Sequence, residues 1–427
     1  MIVVQRVEAA DHLRGTVRVP GDKSISHRAL LLSALASGTS VISGISNGHD
    51  VAATRVIVGQ LGARLHDDDN DVVVEGADEG LRVSPEDLDC ENSGTTMRLV
   101  CGLLAGVPGE HHLVGDASLS RRPMDRVAIP LEAMGVRLEG QGEQRTAPLR
   151  LWGSARLRAI DYSVPQPSAQ VKSAILLAGL AADGPCVVRE AIRTRSATED
   201  MLRASGVAIT SESVGAGRVI ELAPGRPLAH HWRVPGDPSQ AAFFAVLAAI
   251  HDDATLDVLS LDASPERVGF VSVLQRMGAR VDLVEHGGAT GLRGETSMLH
   301  ATEIHAHEIP SVDEVPILCV AAAAATGVSV FREMSELRVK ESDRLEGSAR
   351  LVNALGARAW IEGDDLFVEG LGSARQFRDF SFDAALDHRM VMSAAIAGCA
   401  GEGVTITGAA TVASSYPTFF RDLALLS

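Results

Sequence analysis

The chain has 427 residues and carries 39 Lys plus Arg against 55 Asp plus Glu, a formal net charge of −16. With 46% apolar residues, 22% charged residues and 41 glycines, it has the composition of a packed protein of two domains rather than a disordered tail or a fibre. An acidic chain without a basic run repels nucleic acid, no apolar stretch reaches the roughly 18 residues of a spanning helix, and MIVVQRVEAADH has no leader pattern. No nucleic-acid partner, no membrane and a cytoplasmic location are therefore expected. Five scattered cysteines (Cys90, Cys101, Cys186, Cys319, Cys399), never spaced C-x-x-C, argue against a disulfide framework and a zinc site. Of the basic residues 36 are arginine and three are lysine, at Lys23, Lys172 and Lys340, which raises the question of what requires a compact ammonium at those places.

In chain order, one pattern recurs six times: a Ser- or Asp-led polar start, an Ala/Leu-rich helical run, a Gly or polar turn, and a β-branched strand. The starts lead with Ser24, Ser93, Ser168, Ser239, Asp313 and Asp387, spaced 69, 75, 71, 74 and 74 residues apart. A second helix within the repeats ends on Gly62, Gly135, Gly206, Gly278 and Gly356, where a left-handed C-cap favours glycine. Each repeat reads strand, helix, strand, helix, then more strand, and the sixth stops early at YPTFFRDLALLS. The first and fourth share RVPGDxS, at Arg18–Ser24 and Arg233–Ser239, which makes two similar halves of three repeats with crossovers at 18–22 and 233–237.

Several helix starts together would attract anions in spite of the net charge, since each offers free N–H groups and partial positive charge. In PGDKSISHR a helix beginning near Ser24 would place the Ser24 hydroxyl beneath the Arg28 guanidinium, a pairing suited to phosphate. The Gly-x4-Gly-Lys-Ser spacing of a P-loop is absent, because Asp22 separates Gly21 from Lys23. ELRVKESDR, Glu336 to Arg344, packs six charges into nine residues, with Lys340 and Arg344 four apart and Glu341 between them. It reads either as a solvated helical face or as a carboxylic acid among fixed cations, able to move a proton. Gly115–Met124 reads as a loop with paired arginines, either a ligand site or solvated, and Arg389 opens the sixth apolar helix against its dipole, a cost that a bound anion would remove. The pairs His111-His112 and His230-His231 read as loop residues rather than metal ligands.

Taken together, PGDKSISHRALLLSALA, ENSGTTMRL, GDASLSRRPM, PSAQVKSA, VPGDPS, VDEVP, ELRVKESDR and DHRM resemble the motifs of the 5-enolpyruvylshikimate-3-phosphate synthase family, in order from about residue 15 to residue 420. The resemblance implies an α/β fold of two similar domains, each of three β-α-β-α-β-β repeats with inner apolar helices surrounded by sheets. The first domain would be 1–19 plus 236–427 and the second 20–235, with the active site in the cleft between them. It also implies transfer of the enolpyruvyl group of phosphoenolpyruvate to the 5-hydroxyl of 3-phosphoshikimate, in chorismate biosynthesis, by a monomer needing no metal or organic cofactor.

By the same resemblance Lys23, Asp313 and Glu341 are catalytic: Lys23 at the reacting centre, Asp313 as base toward the 5-hydroxyl, Glu341 as proton relay to the methylene carbon. The positions matching the 3-phosphoshikimate site are Lys23, Ser24, Arg28, Ser168, Ala169, Gln170, Arg195, Asp313 and Lys340. Those matching the phosphoenolpyruvate site are Lys23, Gly94, Arg122, Gln170, Arg344 and Arg389, while Lys172 is assigned only proximity. Departures are the missing lysine before Tyr416-Pro417, Glu336 in place of an Asn, a loosely similar segment around Arg195, and two differences in Asn92–Thr96 that leave inhibitor sensitivity open. Two rivals stand beside this reading: the sister transferase acting on UDP-N-acetylglucosamine, whose usual loop Cys is absent from GDASLSRRPM, and a non-catalytic scaffold on the same repeats. Both Lys23→Met and Glu341→Gln, read as cleft-surface substitutions, are expected to leave stability within about 1 kcal/mol.

Overall fold

The computed structural model describes residues 3–309 and 311–427. The chain divides into two compact units, one of residues 1–20 and 235–427, the other of residues 21–234. Every repeat builds a small sheet by one rule. In the second repeat Leu88–Asp89 runs parallel to Gly109–Val114, which pairs antiparallel with Thr146–Gly153, itself antiparallel to Arg137–Gln141. The third repeat (161–164, 186–190, 217–222, 209–214) and the fifth (303–305, 326–332, 365–371, 358–362) repeat that order.

The crossovers exchange first strands. His231–Arg233 lies parallel to Thr39–Ser43 and completes the sheet of the first repeat, while Leu13–Val17 lies parallel to Ala254–Val258 and completes that of the fourth. The sixth repeat, which ends early in sequence, is closed by another part of the chain: Val4–Val7 pairs antiparallel with Val404–Thr407, beside Phe380–Asp383. The Pro and Gly of both RVPGD segments sit at these transfers.

Each unit has its own apolar core, packed around three of the recurrent helices. In Pro238–Ile250 and Val315–Ala324 every residue is buried, so these helices are apolar all round rather than striped. Their alanines permit close approach. At Gly102 a methyl group would come within 2.4 Å of the Ala174 carbonyl oxygen, so Gly94–Ala105 and Ala169–Gly179 meet backbone to backbone. The five glycines predicted to end the second helices all hold positive φ, from 81° at Gly206 to 115° at Gly62.

Several local expectations need correction. The helix caps are Asp22, Ser93, Ser168, Asp237 and Asp387, so Ser24 and Ser239 lie inside their helices, and the fifth helix starts only at Val315, two residues after Asp313. Asp accepts the N–H bonds at those starts as well as Ser does, which is why the leading serine is a poor marker of the boundary. His111 and His112 are not in a loop: they lie in the strand Gly109–Val114, and His231 opens His231–Arg233. Short half-buried strands of polar residues have too little β-branched pattern to be seen in sequence. All five cysteines are free and buried, and burial pushes the thiols of Cys101 and Cys399 up to about 12, leaving them protonated at neutral pH.

Candidate active site

The predicted site residues form two groups, one in each unit. In residues 21–234, the Asp22 carboxylate accepts from the Ile25 N–H at 2.8 Å and makes Lys23 the first residue of the helix Lys23–Leu35. The Lys23 ammonium pairs with Asp50, a buried carboxylate in the first turn of His49–Gln60. Sequence reasoning missed Asp50. The signal available was an acidic residue at the start of an otherwise apolar helical run.

The expected Ser24 hydroxyl beneath Arg28 is not what forms. Arg28 donates from Nη1 to the Ser24 carbonyl oxygen at 2.8 Å, from Nε to the Thr198 hydroxyl at 2.6 Å and from Nη2 to the Ser173 hydroxyl at 2.7 Å. The Ser24 hydroxyl instead accepts from Arg195 Nη1 at 2.9 Å. Ser24, Arg28 and Arg195 are thus brought together, through a crosslink of three helices that no spacing rule contains. Ser168 caps Ala169–Gly179 by accepting from the Val171 N–H at 3.3 Å, and the next residues, Ala169 and Gln170, lie in its first turn. Gln170 donates to the Thr95 hydroxyl at 2.9 Å and accepts from Arg98 at 2.7 Å, which ties it to the helix that Gly94 begins. Arg122, mostly buried, donates to the Asn92 side-chain oxygen at 2.7 Å, and a methyl group on Gly94 would stand 3.1 Å from Arg122 Nη1.

One helical turn from Lys23, His27 is fully buried with Nδ1 2.7 Å from the Thr54 hydroxyl; desolvation, with Lys23 and Arg28 adding repulsion, holds its pKa well below 6.5. A lowered histidine pKa means that the unfolded chain takes up a proton which the folded one refuses. The contribution to stability is complete above pH 6.5 and declines as the pH falls below it, by roughly 1.4 kcal/mol per pH unit. In urea melts from pH 7 to pH 5, His27→Gln is expected to show a shallower loss of stability than the parent; parallel slopes would refute this.

In the other unit, ELRVKESDR is not one helix. A 3₁₀ turn covers Ser335–Val339, Lys340 is extended at its end, and a new helix, Arg344–Ala354, starts behind the cap Asp343. Lys340 and Arg344 therefore share no helix face, yet both reach Asp313, at 4.0 Å and 2.9 Å. The break is imposed by Asp343, whose carboxylate accepts from the Leu345 and Glu346 N–H groups at 3.1 Å each.

Arg344 is the hub of this group. It grips Asp387 through Nε at 2.8 Å and Nη2 at 3.1 Å, and meets Glu341 at 2.6 Å as well as Asp313. Burial alone would lower its pKa, but Asp387, Glu341 and Asp313 outweigh that and hold the guanidinium charged. Arg389, in the first turn of His388–Ala400, is buried without a carboxylate partner among the described residues. It donates to the Ser239 carbonyl oxygen at 3.1 Å and lies 5.9 Å above the Phe243 ring. After the segment that lacks the family's lysine, Tyr416 is packed edge-on against Phe244 and Phe419 in the core.

Among the described residues one group has the spacing of metal ligands, His305, His307 and Glu333, whose ligand atoms lie within 4.8 Å of one another. His305 Nε2 faces Glu303 at 3.1 Å, and its backbone N–H donates to Glu308 at 2.9 Å.

Comparison with known proteins places the chain in a family. The chain is 43% identical to the 3-phosphoshikimate 1-carboxyvinyltransferase of Gloeobacter violaceus, covering 98% of each chain, and 41% identical to that of Bacillus thuringiensis subsp. konkukian, covering 97% of each. Among solved structures, the EPSP synthase of Acinetobacter baumannii superposes with a TM-score of 0.85 at 35% identity, over 99% of this chain and 98% of that one. The family described as EPSP synthase (3-phosphoshikimate 1-carboxyvinyltransferase) matches residues 7–423, nearly the whole chain, and the chain belongs to it.

Proposed function

We propose that this protein transfers the enolpyruvyl group of phosphoenolpyruvate to the 5-hydroxyl of 3-phosphoshikimate and releases phosphate, a step of aromatic amino acid biosynthesis. The observation that carries the reading is Arg389: a buried cation at a helix start, with no carboxylate partner among the described residues, is a receptor for an anion. Its neighbour in role is Arg344, held charged by three carboxylates. In the proposed reaction Asp313 takes the proton of the 5-hydroxyl as its oxygen bonds to the enol carbon of phosphoenolpyruvate, and Glu341 delivers a proton to the methylene carbon. The tetrahedral adduct then loses phosphate and a proton to restore the enol ether. Lys23 stabilises charge at the reacting centre, with Gly94, Arg122, Gln170, Arg344 and Arg389 holding phosphoenolpyruvate. Ser24, Arg28, Ser168, Ala169, Gln170, Arg195, Asp313 and Lys340, again with Lys23, hold 3-phosphoshikimate.

The same reading makes the enzyme a cytoplasmic monomer that uses neither metal nor organic cofactor and acts on small molecules, not nucleic acid. No helix among the described residues is long and apolar enough to cross a membrane. The test is phosphate release from phosphoenolpyruvate by the purified, chelator-treated protein, with 3-phosphoshikimate or UDP-N-acetylglucosamine as acceptor. Release with 3-phosphoshikimate alone is expected; release with the nucleotide sugar alone, or with neither, would overturn the proposal.

Gly94 offers a finer check. A methyl group there would crowd Arg98 Nη1 at 3.0 Å and Arg122 Nη1 at 3.1 Å. Gly94→Ala is expected to raise KM for phosphoenolpyruvate about tenfold, a difference of about 1.4 kcal/mol, while the affinity for 3-phosphoshikimate stays within about twofold. Equal losses for both substrates in steady-state kinetics would contradict that assignment.

A further inference from the structure

Lys172 is the lysine that the proposed chemistry does not use, and it has the most enclosed environment of the three. Its side chain is 0% exposed, and its ammonium meets three oxygens: Glu190 Oε2 at 3.0 Å, Glu199 Oε1 at 2.8 Å and the Arg195 carbonyl at 3.0 Å. Glu199 also lies 3.5 Å from Arg218 Nη1, so a second cation flanks the two carboxylates. The ammonium donates to Glu190 and to the Arg195 carbonyl and meets Glu199 as an ion pair, a compact charge among converging oxygens, whereas a planar guanidinium needs more room and points its donors in one plane. That accounts for a lysine here in a chain that otherwise uses arginine 36 times.

The cluster grips the segment between the strand Cys186–Glu190 and the helix Ala197–Ala204. Glu190 accepts from the Thr194 hydroxyl, Lys172 holds the carbonyl of Arg195, and the Thr198 hydroxyl accepts from Arg28 at 2.6 Å. With its carbonyl held by Lys172 and the side chains of Thr194 and Thr198 tied on either side of it, Arg195 presents its guanidinium to the Ser24 hydroxyl at 2.9 Å. Burying two carboxylates and an ammonium to order one turn of backbone is costly unless the segment must be held still.

We propose that Lys172 is a positioning residue for 3-phosphoshikimate: by clamping the Arg195 main chain between Glu190 and Glu199, it sets the guanidinium that receives the substrate's phosphate. This rests on the functional reading above, and the experiment separates the two. Calorimetric titration of 3-phosphoshikimate and hydrogen exchange of the amides at 192–196 without ligand would be measured on the parent, Lys172→Met, Arg195→Ala and the double variant. Lys172→Met is expected to weaken 3-phosphoshikimate binding at least tenfold, to move KM for phosphoenolpyruvate less than twofold, and to accelerate exchange at 192–196. The double variant is expected to bind no more weakly than Arg195→Ala, because the lysine acts through that arginine. Additive losses, or parent-like exchange in Lys172→Met, would overturn the proposal. Should Lys172→Met fail to fold, Lys172→Met combined with Glu190→Gln removes one charge of each sign, leaves Glu199 beside Arg218, and carries the same measurements. If the parent itself binds no 3-phosphoshikimate, the functional reading fails, and the exchange comparison still decides whether Lys172 holds the segment.

Discussion

Lys23→Met is expected to lower kcat by about a thousandfold or more, because it removes the positive charge proposed to meet the reacting phosphoenolpyruvate where charge develops. It will also destabilise the protein, contrary to the expectation for a cleft-surface residue. The Lys23 ammonium neutralises Asp50, whose side chain is 6% exposed, and methionine would leave that carboxylate buried without its cation. Breaking such a pair costs about 3 kcal/mol. Lys23→Met combined with Asp50→Asn should therefore recover most of the lost stability in urea melts while turnover stays low. Recovery of turnover in the double variant would mean that Lys23 matters for folding and not for chemistry.

The second large effect is expected at Asp387. This carboxylate does two jobs: it accepts from the Arg389 N–H at 2.9 Å as cap of His388–Ala400, and it holds Arg344 through two bonds, with the Asp387 and Arg344 side chains 0% and 1% exposed. Asp387→Ala is expected to cost about 3 kcal/mol, about 1 kcal/mol of it from the cap and the rest from the two charged hydrogen bonds lost by a buried guanidinium that keeps Glu341 and Asp313. Asp387→Asn retains a capping oxygen and loses the charge, so its cost should fall short of alanine's by about that 1 kcal/mol. Both variants should raise KM for phosphoenolpyruvate, since Arg344 and Arg389 are each aligned by this one side chain. A loss below about 1 kcal/mol in Asp387→Ala would show that Glu341 and Asp313 suffice to hold Arg344 and that Asp387 is not its anchor.

The repeats were legible because burial leaves a simple trace. An Ala- and Leu-rich run such as that of Pro238–Ile250 has to be covered on every side, and a glycine such as Gly62, at φ 115°, marks a helix end that other residues resist. The family was legible in the charged motifs, whose residues Arg344 and Arg389 the structure places at helix starts. What stayed hidden were relations between distant residues: Asp50 beneath Lys23, Thr198 and Ser173 around Arg28, and Glu190 and Glu199 around Lys172. Each partner is an ordinary polar residue on another helix or strand, and no spacing rule pairs it. The break at Lys340 was hidden for a different reason: helix propensity alone favours continuing through KESDR, and the Asp343 cap overrides it.

The exchanged strands give the order of synthesis a part in folding. Residues 21–234 are one uninterrupted stretch and hold every strand of their three sheets. The other unit must wait: Leu13–Val17 emerges long before its partner Ala254–Val258, and Val4–Val7 before Val404–Thr407. At ribosomal rates of roughly 5–20 residues per second, the nearly 400 residues separating the latter pair amount to about 20–80 s. Throughout that interval two strand-forming segments lack the neighbours they are shaped for, and each carries an arginine, Arg6 and Arg14, a charge that discourages pairing with the wrong chain. In the finished protein those same arginines reach Asp379 and Asp253, so the charges that guard the nascent chain become bonds once the last repeat is made.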